Sequence, residues 1–221
     1  MPEKPRVKAP TKRTTVDPEA SARKRRMLLV VGGAGIVLIA VGALVGVLGI
    51  LGGGVDEESV RADLVAAGCT LQVETAGPAE HSVTDPSGTF DKWNTDPPTN
   101  GPHYGEAAIF GAYDEPLEQA RVVHNLEHGG VFIQYGEDVP ESTVAELRGF
   151  YDDHQTGTIM APLPRLADEI ALGAWYAEGE EAKGYLAKCK EFDEDAFSAF
   201  FAAFQFKGPE RFDPSQLRPG S

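Results

Sequence analysis

The 221-residue chain carries 20 Lys and Arg against 34 Asp and Glu, is 42% hydrophobic and contains two cysteines. That composition excludes a collagen-like or wholly disordered chain and leaves room for one ordinary domain with appendages. Charge is very unevenly placed: residues 1–26 hold nine basic and three acidic side chains, residues 27–54 hold none, and the remainder holds 11 basic against 31 acidic. So acidic a remainder lacks the basic footprint that phosphate contacts need, and no nucleic-acid partner is expected.

Residues 1–26 are rich in Lys, Arg, Pro and Thr with almost no large apolar side chains. They cannot bury enough surface to offset chain entropy and are expected to form a disordered tail, able to lie against anionic lipid. From Met27 to Leu51 every residue is apolar or Gly, and at about 1.5 Å per residue the run reaches roughly 37 Å, enough to cross a bilayer. A cleaved signal peptide would have a shorter apolar region, about 7–15 residues. A lipoprotein site at Ala66-Ala67-Gly68-Cys69 is set aside because a charged stretch, not an apolar one, precedes it. The Arg23-Lys24-Arg25-Arg26 cluster before the span places the N-terminus in the cytoplasm by the positive-inside rule, with everything after Val55 extracytoplasmic. Gly42 and Gly46 form a small-xxx-small pair through which two spans could make a homodimer.

The expected organisation is a cytoplasmic tail (1–26), a transmembrane helix (27–51), a linker with a short helix (52–67), one α+β domain (68–212) and a C-terminal tail (213–221). Within it, Asp56–Ala67 reads as a helix stopped by Gly68, and Cys69–Thr75 as a strand. Ala76–Gly105 is crowded with Pro and Gly and reads as a long loop, which Phe90, Trp93 and Tyr104 should pack down. Val122-Val123 and Val131–Tyr135 read as strand material on either side of Gly129-Gly130. Pro140–His154 is helical, Thr158–Met160 and Ile170–Ala177 are strands, and Asp193–Phe206 is a helix whose Phe197, Phe200, Phe201 and Phe204 form a core stripe. Cys69 and Cys189 are the only cysteines, and in an oxidising compartment a bond between them is expected.

Four histidines stand in distinctive surroundings: His81, His103 at the end of Pro97-Pro98-Thr99-Asn100-Gly101-Pro102-His103, and the pair in His124-Asn125-Leu126-Glu127-His128-Gly129-Gly130. The Pro-Pro-Thr-x-Gly-Pro-His-Tyr string from Pro97 and the Val-His-x-Leu-Glu-His-Gly string from Val123 resemble a bacterial family of extracytoplasmic domains catalogued as domain of unknown function 3105. The resemblance runs from about Gly68 to Glu210 and takes in both cysteines and Gly208-Pro209-Glu210. Asn100 stands where Ser is expected in the family. The resemblance implies an architecture and a location, and no reaction.

Three chemistries fit the residues. His103, His124 and His128, joined by His81 and with Glu127 as ligand or hydrogen-bond partner, can form a site for one copper or zinc ion. Met160 would add a soft ligand favouring copper. Alternatively, His124-x-x-Glu127-His128 has the H-x-x-E-H spacing of a zinc hydrolase with Glu127 as base. Its third ligand would come from Glu191, Glu194 or Glu210, none of which is expected to approach the rings. In the third reading the histidines only brace the Pro/Gly-rich loop of a non-catalytic envelope module. The metal reading has one structural condition. Residues 124–130 must form a helical turn or bulge, which Gly129-Gly130 would permit, because on a strand His124 and His128 would lie roughly 13 Å apart. No G-x-S-x-G nucleophile or phosphate-binding loop is present outside the apolar run, and His154 is expected to serve the end of its helix.

Overall fold

Successive residues of a strand face opposite ways, and the central strands of this protein are apolar in both directions, so both sides of the sheet are covered. The computed structural model describes residues 56–83, 93–178 and 181–221. The basic tail, the apolar run 27–51 and its Gly42–Gly46 pair lie outside the described residues. Among the described residues no helix is long and apolar enough to cross a membrane.

The sheet contains β1 (Thr70–Thr75), β2 (Gly111–Ala112), β3 (Val131–Tyr135), β4 (Thr158–Pro162), β5 (Ile170–Glu178) and β6 (Glu181–Cys189), arranged β1-β6-β5-β3-β4-β2. β4 runs parallel to both β3 and β2, and the other pairs are antiparallel. Among the described residues four α-helices accompany it: α1 (Glu57–Ala66), α2 (Gln119–Glu127), α3 (Glu141–Asp153) and α4 (Glu194–Phe204). The described chain is therefore an α+β domain with a mixed sheet.

One sheet face, carrying Val131, Ile133, Met160 and Leu172, packs against Leu64 of α1, Leu147 and Phe150 of α3, and the Phe197-Phe200-Phe201-Phe204 stripe of α4. The stripe is core, as its spacing predicts. Asp193 starts α4 by accepting from the Ala196 N–H, and Asp56 starts α1 by accepting from Ser59. Cys69 and Cys189 are disulfide-bonded in this same layer, closing a sequence separation of 120. The opposite face, with Phe132, Ile159, Ala161 and Trp175, is covered by Val122, Val123 and Leu126 of α2.

That last contact corrects the strand expected at Val122-Val123. β-branched residues favour strands only weakly in isolation. Here burial of one face of an amphipathic turn decides the matter, and both valines sit in α2. β6 was not anticipated, because its burial does not alternate: Gly184 through Ala187 are all buried in succession. The segment 213–221 is not a free tail. Leu217 is buried, its carbonyl accepts from Gly157 at 2.6 Å, and Ser221 O accepts from Phe110 at 3.0 Å.

The described parts of the Pro/Gly-rich loop have no regular structure but are firmly docked. Trp93 Nε1 donates to Pro102 O (2.9 Å), Gly77 N donates to Asn100 Oδ1 (2.8 Å), and the Thr95 and Thr99 hydroxyls meet at 3.0 Å. The loop reaches the sheet at Gly184, where any Cβ would overlap the side chains of Thr99 and Asn100. His103, at the end of this loop, lies with its ring edge-on to Trp175 of β5, centroids 6.0 Å apart.

Candidate metal centre

α2 is a short helix with a sharply defined end. Gly130 N donates to Asn125 O (2.9 Å) and Gly129 N to Leu126 O (3.0 Å), the paired bonds of a Schellman stop, and Gly129 supplies the required positive φ of 92°. The condition on residues 124–130 is therefore met. His124 lies in the last turn and His128 caps the helix, so their side chains share one side, with Nε2 atoms 3.0 Å apart.

Three further segments converge on this helix end. His103 N donates to Glu80 O (2.9 Å) and Val83 N to His103 O (3.3 Å), which brings His81 alongside His103. The His81 ring stacks on that of His124 with centroids 4.8 Å apart. Tyr104 N donates to Ala120 O (3.3 Å), fastening the loop to α2, and Asn125 holds Ala108 through both its N–H and its carbonyl. From the C-terminal side, Phe206 N donates to Gly129 O (2.7 Å) and Glu210 N to Glu127 O (3.0 Å), which lays Glu210 against the helix end.

The result is a chain of close donor atoms. Glu127 Oε2 lies 3.0 Å from His103 Nε2, 3.6 Å from His81 Nε2 and 4.0 Å from His124 Nε2, while His128 Nε2 lies 3.4 Å from Glu210 Oε2. They form two overlapping groups, His81-His103-His124-Glu127 and His124-Glu127-His128-Glu210, in each of which all ligand atoms fall within 4.8 Å of one another. The His103 side chain is completely buried, those of Glu127 and His124 are 7% exposed, and His81 and Glu210 form an exposed rim.

The second ring nitrogens are also committed. His103 Nδ1 lies 2.8 Å from Gly101 O and His124 Nδ1 lies 2.8 Å from Tyr104 O. A carbonyl can only accept, so each Nδ1 carries the proton and donates. In the neutral ring this leaves each Nε2 with a lone pair, and beside the acceptor-only Glu127 carboxylate such a lone pair is favourable only when a proton or a cation lies between them. Burial holds His124 below the ordinary histidine pKa, aided by neighbouring His128 and His103 against the Tyr104 carbonyl. Burial also lowers His128, opposed by Glu210 and Glu127. Burial alone would raise Glu127, but the His103 hydrogen bond and the charges of His103, His124 and His81 outweigh it and keep the carboxylate low. Histidines lowered at His124 and His128 and a carboxylate held low at Glu127 both favour the deprotonated donors that a cation needs.

Of the residues singled out from sequence, the structure brings together His81, His103, His124, Glu127 and His128. Met160 does not join them: it is buried in the layer of α1, α3 and α4, on the far side of the sheet from α2. Its strand neighbours Ile159 and Ala161 face α2 instead, so the alternation of β4 removes the soft ligand and with it the preference for copper. Glu210 is the opposite correction. It was expected to stay away and instead reaches His128, delivered by its own backbone bond to Glu127. This supplies the third ligand that a hydrolase would need, yet Glu127 faces His103 and His81 rather than standing free as a base. His154 serves α3 as expected, with Nδ1 2.8 Å from Phe150 O.

No curated protein and no solved structure matches the chain. The family described as "Protein of unknown function (DUF3105)" matches residues 88–216, more than half of the chain and spanning both histidine strings, and the chain belongs to that family.

Proposed function

We propose that this protein is a single-pass membrane protein whose extracytoplasmic domain binds a transition-metal ion, zinc or copper(II), through His103, His124 and Glu127 with His81 and His128 completing the shell. The observation that carries the proposal is the pair of Nδ1–carbonyl bonds at His103 and His124. Fixing one ring nitrogen on a backbone carbonyl so that the other presents a lone pair is how proteins orient histidine ligands. Imidazole and carboxylate donors suit zinc and copper(II) alike, and without Met160 nothing in the donor set selects a soft monovalent ion.

The location is argued from the 25-residue uncharged run behind a basic tail and is supported by the disulfide, a bond that persists in oxidising compartments. The bilayer is then the first partner. Gly42 and Gly46 offer a dimer contact, and nothing in the residues names a protein partner.

A bracing role for the histidines is favoured by one observation. With both its nitrogens facing acceptors, His103 would be fully satisfied as an imidazolium bonded to Gly101 O and Glu127. Elemental analysis of the full chain, purified in detergent after export, separates the two. The metal reading predicts bound zinc or copper that is lost in His124→Ala. The bracing reading predicts a metal-free chain in which the same substitution changes only stability.

A further inference from the structure

We infer that the centre holds two ions rather than one, bridged by the Glu127 carboxylate; this rests on the metal reading above. Four donors around a tetrahedral ion at about 2.0–2.1 Å lie about 3.4 Å from one another. The spacings in this site cluster around that value twice. His81 and His103 lie 3.6 and 3.0 Å from Glu127 Oε2. His124 and Glu210 lie 3.0 and 3.4 Å from His128 Nε2. The two triads meet where His124 Nε2 lies 4.0 Å from Glu127 Oε2, wider than the spacings within either.

An imidazole Nε2 has one lone pair and serves one ion, whereas a carboxylate has two oxygens and can serve two. His124 therefore goes with His128, its neighbour one helical turn away, and Glu127 is the only residue in both groups able to bind both ions. The first ion takes His81, His103 and one Glu127 oxygen. The second takes His124, His128, Glu210 and the other Glu127 oxygen. Carboxylate-bridged pairs of this kind stand about 3.5–4 Å apart and clamp an oxygen ligand between them. Three protein donors at the first ion leave a coordination position for such a ligand.

The assignment explains two features that a single ion does not. His128 is held at the helix end by the Gly129 turn although His103, His124 and Glu127 already provide a buried trio. Glu210 is brought to the same place by a backbone bond to the very residue that would bridge.

The test uses the full chain in detergent, saturated with zinc and freed of excess by gel filtration. Two zinc ions per chain are expected, falling to one in the double variant His128→Ala, Glu210→Ala and to one in His81→Ala. All three positions are partly or largely exposed, so the variants should fold, which near-ultraviolet circular dichroism checks. Loaded instead with copper(II), the wild-type chain should give the electron paramagnetic resonance spectrum of a coupled pair, and each variant that of an isolated ion. One zinc per chain at saturation would overturn the second ion while leaving the metal site standing. A second ion that survives in the double variant lies elsewhere and overturns it too. No zinc at all would sink the metal reading itself, and this inference with it.

Discussion

The Nε2 atoms of His124 and His128 face each other at 3.0 Å across the last turn of α2, a contact that only a shared proton or a cation can make favourable. His124 spends its other nitrogen on the Tyr104 carbonyl, so in the metal-free chain the proton belongs to His128.

Acid should loosen this arrangement in two stages. Both histidines titrate below the ordinary value in the folded chain, so the unfolded chain takes up protons first as the pH falls. Stability contributed by their neutral forms is present above about pH 6.5 and is lost as the pH drops through their lowered folded values. Glu127, also held low, adds a second loss below the ordinary glutamate value of about 4.5. Denaturation midpoints of the metal-free chain should therefore decline on acidification from about pH 6.5, with a shallower first stage in His128→Ala. Bound metal should steepen the decline, because protons compete for the same lone pairs. A midpoint flat down to pH 5 would contradict the assigned protonation states.

Gly129→Ala should cost about 2 kcal/mol, since φ is +92° and the new Cβ would lie 3.0 Å from Phe206 Cα. It should also weaken metal binding, because His128 follows the same turn. Gly149, in α3 with nothing near its Cβ position, is the control: Ala there should stabilise by up to about 1 kcal/mol and leave metal binding unchanged. Chemical denaturation and zinc titration of both variants check the pair. Equal effects would mean that the helix stop is not what positions His128.

Much of this site was legible in the sequence, but only conditionally. The i, i+4 spacing of His124 and His128 announces a shared ligand if the segment is helical. The valines before it argued for a strand, and only the sheet face that α2 covers reverses them. Met160 could not be placed from its identity, because which side of β4 it takes depends on register with β3. Glu210 carries no periodic signal at all: it arrives through backbone bonds between residues far apart in the chain. Its one sequence sign was the Gly208-Pro209-Glu210 string. The Phe stripe of α4 was readable throughout because helical spacing and burial agree.

The disulfide should contribute on the order of 5 kcal/mol by the chain-entropy account, given the separation of 120 residues. Replacing Cys69 and Cys189 by Ser should lower the denaturation midpoint accordingly, and alkylation of the exported wild-type chain should find no free thiol. Two reactive thiols in protein taken from its native envelope would remove the argument for an oxidising location.

Topology can be read with a reporter active only outside the cytoplasm. On the proposed topology, a fusion after Ser221 should be active and one before Met27 silent. The reverse pattern would place the disulfide and the histidines in the cytoplasm.

X-ray absorption at the edge of the metal retained by the full chain is the most direct test of the centre. Imidazole nitrogen and carboxylate oxygen at about 2.0–2.1 Å, with outer-shell scattering from histidine rings and no sulfur, is the predicted spectrum, and the ring scattering should diminish in His124→Ala. A shell of oxygen alone, or one containing the sulfur of Met160, would contradict the site built here on His103, His124 and Glu127.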